Sequence, residues 1–479
     1  MSNDNSVKKL NRKAFIAGTF FVLTQLIVRG ITFLTTPIYT RLVSTAQYGQ
    51  IRIYESWLLI LVPISSLCLY RSVERAKYDY GDKFEEYVSS VQTLSYISIA
   101  VFYIIISLFF KKSFLSFSNM NDFMFVIMIL YTFFYTATLY YQRREKQMMR
   151  YKHSTMVTML TMIPATVLSI ALLYWGNVAG YENYLVDLRI GGFYLPQIIG
   201  GIAVAIIMWQ SGRSIINVNN WKYALAYSLP LIPEMLSIQL MNQSDKIMIQ
   251  KLVNEEAAGI FALATTVSFI IWIIEDSVWN AWLPWLYEKI ARGEERDIKK
   301  PWDEIVLIFG CFSWLLVFFA PEIILILGGA KYESAKYLVA PMVTGTLLRF
   351  FSYIYTAIQN YYKKTAYVAG GTVAVMIINI ILNYVCIIRL GYQAAAYTTA
   401  ISYLILLIIQ GLLERKVVKT RITSLTKMIT ASILIFAVNL LTMVSFDWKW
   451  YVRYIIGFIV IVAMAVKMLP KAKGLLKQK

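Results

Sequence analysis

Apolar runs close to twenty residues long recur along the whole chain, and they decide its solvent before anything else does. Phe123–Leu139 and Ile422–Val444 are two of them, and a helix needs about 20 residues to cross a hydrocarbon core. A transmembrane barrel would instead show alternating segments of about 10 residues, and the sequence has none. With 58% hydrophobic and only 15% charged residues over 479 positions, the chain is too apolar for two or three soluble domains. The expected fold class is an all-α polytopic membrane protein. About fourteen transmembrane helices are expected, at roughly 13–40, 48–70, 86–110, 120–142, 151–175, 187–210, 221–245, 256–288, 302–327, 335–362, 365–388, 392–413, 424–445 and 449–468.

The net charge of +19 would suggest nucleic acid in a soluble protein. Here the test is the distribution of Lys and Arg over alternate loops. Of the 46, 32 fall on the side that holds both termini and 12 on the other, while Arg29 and Arg349 lie inside spans. The bias places both termini in the cytoplasm and argues against a nucleic-acid partner. The basic start MSNDNSVKKLNRK leads into a span that is too long for a signal core and holds Arg29, so it reads as an uncleaved first helix. Cys68, Cys311 and Cys386 are isolated, and His153 is the only histidine. Neither a disulfide framework nor a metal site is expected, and no cofactor beyond a coupling H+ or Na+.

One stretch is written twice. Residues 40–51 read TRLVSTAQYGQI and residues 250–261 read QKLVNEEAAGIF. Ser44 with Gln47 fits a capping box, and Asn254 precedes two acids that suit a first helical turn. Each copy therefore reads as a turn between two helices, with Gly49 and Gly259 allowing close backbone approach. A weaker echo joins RIGG at 189 to RLGY at 389. The interval spans six helices, so the halves enter the membrane in the same direction, a parallel repeat. The expected domains are a six-helix lobe at 1–215, a second at 216–418, and an appended helix pair with a basic tail at 419–479.

The segments TPIYTRLVSTAQYG, LPLIPEMLSIQLMNQSDKIMIQKLVNEEAAGIFALA, LGGAKYESAKYLVAPM and NIILNYVCIIRLGYQAAAYTTAISY carry a resemblance. The chain resembles the polysaccharide transporter, or oligosaccharide flippase, family of the multidrug/oligosaccharidyl-lipid/polysaccharide exporter superfamily. Where that family commonly has Asp-Arg, this chain has Asp245-Lys246, which keeps the charges and loses a bidentate fork. The resemblance implies two six-helix lobes, extra C-terminal helices, and flipping of an undecaprenyl-diphosphate-linked oligosaccharide across the bacterial cytoplasmic membrane. A polymerase and glycosyltransferases are then the expected protein partners.

Charges inside spans mark candidate sites, because an intramembrane Arg costs about 2.5–3.5 kcal/mol on insertion scales. Gly18, Gln25, Arg29, Thr32 and Thr36 share one face of the first helix. Gly345, Arg349, Ser352, Thr356, Gln359 and Lys363 form a similar stripe in the tenth. The two arginines, with Gln25 and Gln359, are candidates to hold an anionic head group, since a guanidinium fork grips two oxygens at once. The alternative is that each Arg pairs with a buried acid and holds helices together. Glu234, which follows Pro230 and Pro233 in a helix expected to break there, is a candidate for ion coupling, as are Glu275 and Asp276. Arg52 and Glu55, three apart, read as a local ion pair or rim, with Asp245 and Lys246 as further rim or gate residues. Asn379 and Asn383 read as interhelical hydrogen bonders.

These readings add up to a transporter, not an enzyme, that moves a lipid-linked oligosaccharide by alternating access. Three rivals are a flippase for the peptidoglycan precursor, a cation-coupled multidrug exporter, which two cavity arginines disfavour, and a membrane glycosyltransferase or polymerase. The last would need a larger non-membrane loop than this chain has.

Overall fold

The computed structural model describes residues 27–28, 30–417 and 423–462, and all the regular structure among them is helical. Eleven helical stretches among the described residues are long and apolar enough to cross a membrane. They correspond to the third through thirteenth expected spans. The first span runs partly through residues outside the described set. The second is α2, whose polar N-terminal half carries Arg52 and Glu55, and the last is described over Trp450–Val462.

The chain forms two compact units, Met1–Gly259 and Ile260–Lys479. The first holds α1 (30–42), α2 (Thr45–Ser65), α3 (Val73–Tyr80), α4 (Phe84–Ile105), α5 (Lys111–Ser118), α6 (Asp122–Gln147), α7 (Tyr151–Val178), α8 (Leu185–Gly212), α9 (Val218–Ser228) and α10 (Ile232–Leu252). Within it α8 packs on α4, α6 and α7, and α10 packs on α2. That last pairing carries the compact unit to Gly259, past the residue at which the internal repeat ends its first lobe; repeat and packing divide the chain by different criteria. Buried aromatic residues such as Tyr87 and Tyr140 fill the core between α3, α4, α6 and α8. Their hydroxyls are satisfied at Ser72 (2.6 Å) and Ser95 (2.8 Å).

The second unit holds most of α11 (Glu255–Ala291), then α12 (Lys299–Phe318), α13 (Ala320–Gly328), α14 (Lys336–Tyr361), α15 (Thr365–Leu390), α16 (Ala394–Val417), α17 (Leu425–Val444) and α18 (Trp450–Val462). Its centre is α14, which packs against α12, α16 and α17. Asn379 donates to Ser402 at 3.1 Å and Asn383 bonds Asn379 and Thr398, tying α15 to α16.

Prolines set the breaks. At Pro230 and Pro233 the seventh expected span splits into α9, a short 3-10 turn at Leu229–Leu231, and α10, as a ring that lacks an N–H and clashes with the preceding turn requires. The ninth expected span is likewise two helices, α12 and α13, divided ahead of Pro321. The doubled stretch caps both its helices. Ser44 and Gln47 close a reciprocal capping box, and Asn254 accepts from the Ala257 N–H at 2.8 Å. The two glycines face each other: a Cβ on Gly49 would overlap the Glu255 carbonyl oxygen and lie 2.9 Å from the Gly259 nitrogen. No side chain fits there, and this explains why both copies need glycine at that position.

Candidate functional site

The capping box fixes where α2 begins and therefore which side chains share its face. Tyr48, Arg52 and Glu55 fall at i, i+4 and i+7, one above the other. Arg52 donates through Nε to the Tyr48 hydroxyl at 2.9 Å and through Nη1 to Glu55 Oε2 at 2.8 Å. A second guanidinium arrives from α8: Arg189 donates through Nη2 to Glu55 Oε1 at 3.0 Å. Its guanidinium carbon lies over the rings of Tyr39 (4.7 Å) and Phe193 (4.2 Å), an arrangement that suits the weakly hydrated guanidinium. One carboxylate thus serves two arginines. Arg189 is only 5% exposed, and its Nε and Nη1 are buried without an acceptor among the described residues.

Arg52, Glu55 and Arg189 line a cavity of about 380 Å³. Its other walls come from α1, α6, α7 and α10, including Thr32, Thr36, Tyr131, Tyr135 and Gln239. On α10 Lys246 is buried beside Asp245, and its ammonium donates to Gln243 Oε1 at 2.7 Å. Two arginines against one carboxylate leave the cavity wall positive. A low-dielectric pocket focuses that field, and the Arg189 guanidinium keeps two N–H-bearing nitrogens that an anion reaching them would bond.

In the second unit Arg349 of α14 stands next to Glu275 of α11, with Nη2 3.8 Å from Oε2. This is an ion pair without a hydrogen bond: among the described residues both Glu275 oxygens, and Arg349 Nε and Nη2, are buried without a hydrogen-bond partner. Trp272 and Tyr403 face the guanidinium at 5.7 and 6.0 Å. Here one arginine meets one fully buried acid.

The remaining candidates are dispersed. Gln359 is fully buried, and its Nε2 donates to the Gln410 carbonyl (3.1 Å) and side-chain oxygen (3.0 Å), a tie between α14 and α16. Glu234 sits in the first turn of α10 immediately after the proline break, where a carboxylate favours the positive end of the helix. Asp276 is half-buried one residue beyond Glu275. Gln25 and Arg29 lie outside the described residues. Arg52 and Glu55 do form the local ion pair expected of their spacing, but they do so inside a cavity.

Two arginines escaped the sequence reading. Arg189 was assigned to a loop end because its helix was expected to start at 187; α8 starts at Leu185, and this puts the residue a full turn inside. The signal was the single Arg in DLRIGGFYLP, a charge next to apolar residues and two glycines. Arg453, also counted with a loop, is 5% exposed and forks onto both Glu322 oxygens at 2.9 Å, pinning α18 to α13.

The family model described as polysaccharide biosynthesis protein matches residues 16–290. An uncharacterized membrane protein of Haemophilus influenzae is 23% identical over 368 residues, which are 72% of this chain and 84% of that protein. Among solved structures, the chain is similar to lipid II flippase MurJ in an inward closed conformation, with a TM-score of 0.66 and 14% identity over 94% of this chain and 99% of that one. It is also similar to an inward-facing multidrug resistance MATE transporter of the MOP superfamily, with a TM-score of 0.61 and 12% identity over 82% and 97%. At such identities the likeness is one of fold, and the fold is that of these membrane proteins.

Proposed function

The chain belongs to the polysaccharide biosynthesis protein family, and from that premise we propose that it flips a polyprenyl-diphosphate-linked oligosaccharide repeat unit from the inner to the outer leaflet of the bacterial cytoplasmic membrane. The observation that carries this reading is the net-positive cavity of the first unit, lined by Arg189, two of whose N–H-bearing nitrogens have no acceptor among the described residues. A diphosphate supplies both the charge and the paired oxygens that such an edge lacks. A cationic drug would meet repulsion at the same wall.

In this reading both termini are cytoplasmic, the sugar-bearing head enters from the cytoplasmic side while the polyprenyl tail stays in lipid, and alternating access exposes the head outside. Arg29 acts along the same path, and Arg349, held by Glu275 in this state, joins it when that pair opens. Coupling to H+ or Na+ is assigned to Glu275 ahead of Glu234 and Asp276. Its charge alone among the three holds an intramembrane arginine, so changing its charge state releases that arginine. A polymerase and glycosyltransferases act on either side of the flipping step.

The test is complementation of a deletion strain with Arg189→Gln, alone and with Arg52→Gln. Removing a buried charge partner of a bound anion costs about 2–5 kcal/mol, so surface-polymer export should fall at least about 30-fold. Lipid-linked oligosaccharide should accumulate on the cytoplasmic face. Normal export by variants present at normal levels in the membrane would sink the head-group assignment.

A further inference from the structure

The arginines of the first-unit cavity have a task in the reading above; the tyrosines beside them do not. On α6, Tyr131 and Tyr135 stand one turn apart with rings stacked at 4.8 Å and 14°. Tyr194 of α8 meets Tyr131 edge-on, with centroids 4.6 Å apart and planes at 69°. All three line the cavity with Arg52 and Arg189.

Their hydroxyls set them apart from neighbours on the same walls. Tyr39 shares a hydrogen bond with Ser169 at 2.5 Å, and Tyr48 accepts from Arg52. Among the described residues no hydrogen bond reaches the hydroxyl of Tyr131, Tyr135 or Tyr194, and none of these three oxygens is enclosed by protein; they are left to whatever fills the cavity. Packing alone would be served by phenylalanine, and a phenol that opens on a cavity presents its hydroxyl to the occupant. Three phenols converging on one cavity suit an occupant that carries its own hydroxyls, water or sugar.

The cavity threonines narrow the chemistry further. Thr32, Thr36 and Thr166 donate their hydroxyl hydrogens to the carbonyls of Val28, Thr32 and Met162. What they show the cavity is acceptor lone pairs only. The walls thus combine aromatic faces, phenolic donors and threonine acceptors next to a cationic edge. A polyprenyl tail would leave every one of these polar groups unpaired. A pyranose ring would not: its C–H face is electropositive and suits the negative face of an aromatic ring, and its rim of hydroxyls both donates and accepts.

We propose, resting on the diphosphate reading of Arg52 and Arg189, that Tyr131, Tyr135 and Tyr194 form a saccharide platform that reads the first sugar of the lipid-linked chain. The ring next to the diphosphate lies against the tyrosine faces and its hydroxyls engage the phenols. A volume of about 380 Å³ is at the small end of the roughly 300–1,000 Å³ of ligand cavities. It has room for a charged head and one ring within its walls. Selectivity at this site is accordingly for the first sugar and is indifferent to those beyond it.

The test uses the full-length protein in nanodiscs of phosphatidylethanolamine and phosphatidylglycerol. Two probes are compared, bare undecaprenyl diphosphate and the same lipid carrying one N-acetylhexosamine. The wild type should bind the sugar-bearing probe about tenfold more tightly, the size expected of aromatic contact. Tyr131→Leu with Tyr135→Leu should bring that ratio to about one and leave the bare lipid unaffected. Should the leucine pair fail to fold, Tyr131→Phe with Tyr135→Phe decides: a reduced ratio supports the platform, an unchanged ratio overturns it. Arg189→Gln should weaken both probes equally and preserve the ratio. Equal binding of the two probes by the wild type, or a leucine pair that weakens both alike, overturns the platform and leaves the diphosphate reading standing. Arg189→Gln without effect on either probe overturns that reading and the platform with it.

Discussion

Each compact unit buries an arginine against a glutamate, and the two pairs are built differently. In the first unit Glu55 accepts hydrogen bonds of 2.8 and 3.0 Å from two arginines, so positive charge is in excess and part of it faces a cavity. In the second, Arg349 and Glu275 match one to one and approach only to 3.8 Å, with Trp272 and Tyr403 around the guanidinium. Net charge separates the two. Attraction for an anion concentrates where arginines outnumber acids, while a balanced buried pair mainly constrains the helices that carry it.

The contrast can be broken most sharply in the second unit. Arg349→Met leaves the Glu275 carboxylate buried without its counter-charge, at a cost of about 3–5 kcal/mol. Glu275→Gln should cost less, because it removes the charged acid itself, and the double variant should recover much of the loss. Thermal unfolding of all three in detergent reads this out. If Arg349→Met is as stable as wild type yet exports nothing, Arg349 belongs with the cavity arginines and the distinction fails. The next effect is in the first unit. Glu55→Gln removes the one carboxylate that Arg52 and Arg189 share, so affinity for bare undecaprenyl diphosphate should rise about tenfold, or 1.4 kcal/mol, and fall more steeply with salt. Unchanged affinity would mean that Glu55 does not compete with the ligand. The smallest effect is Tyr48→Phe, which removes the acceptor of Arg52 Nε and should weaken the same probe by roughly 1 kcal/mol, measured by the same titration.

What the sequence disclosed followed the range of the interaction that determines each feature. The Ser44 capping box and the break at Pro230 and Pro233 depend on residues within a turn of each other, and both are legible from spacing. The appearance of eleven spans in their expected places depends only on the length of apolar runs. Arg349 was visible because a charge near mid-span is conspicuous without any partner. Glu275 was singled out as well, but its pairing with Arg349 was not legible, because it lies on another helix and only packing brings the two together. Gln359 shows the limit of a helical stripe: sharing a face with Arg349 does not say whether the face opens on a cavity or a seam, and Gln410 makes it a seam. Arg189 was lost to a boundary error of two residues, enough to move a buried guanidinium into a loop. The tyrosines are too abundant for sequence to single out any three, and only their convergence on one cavity does so.

The first helix has a further property. Thr32, Thr35, Thr36 and Thr40 each return a hydroxyl hydrogen to the carbonyl four residues back, at 2.8–3.1 Å. A carbonyl that serves two donors holds each less tightly, and such back-bonding bends and loosens a helix. Four of these in nine residues make α1 mechanically compliant. The cavity is thus bounded by a stiff side, where one carboxylate locks α2 to α8, and a yielding side that gives under load.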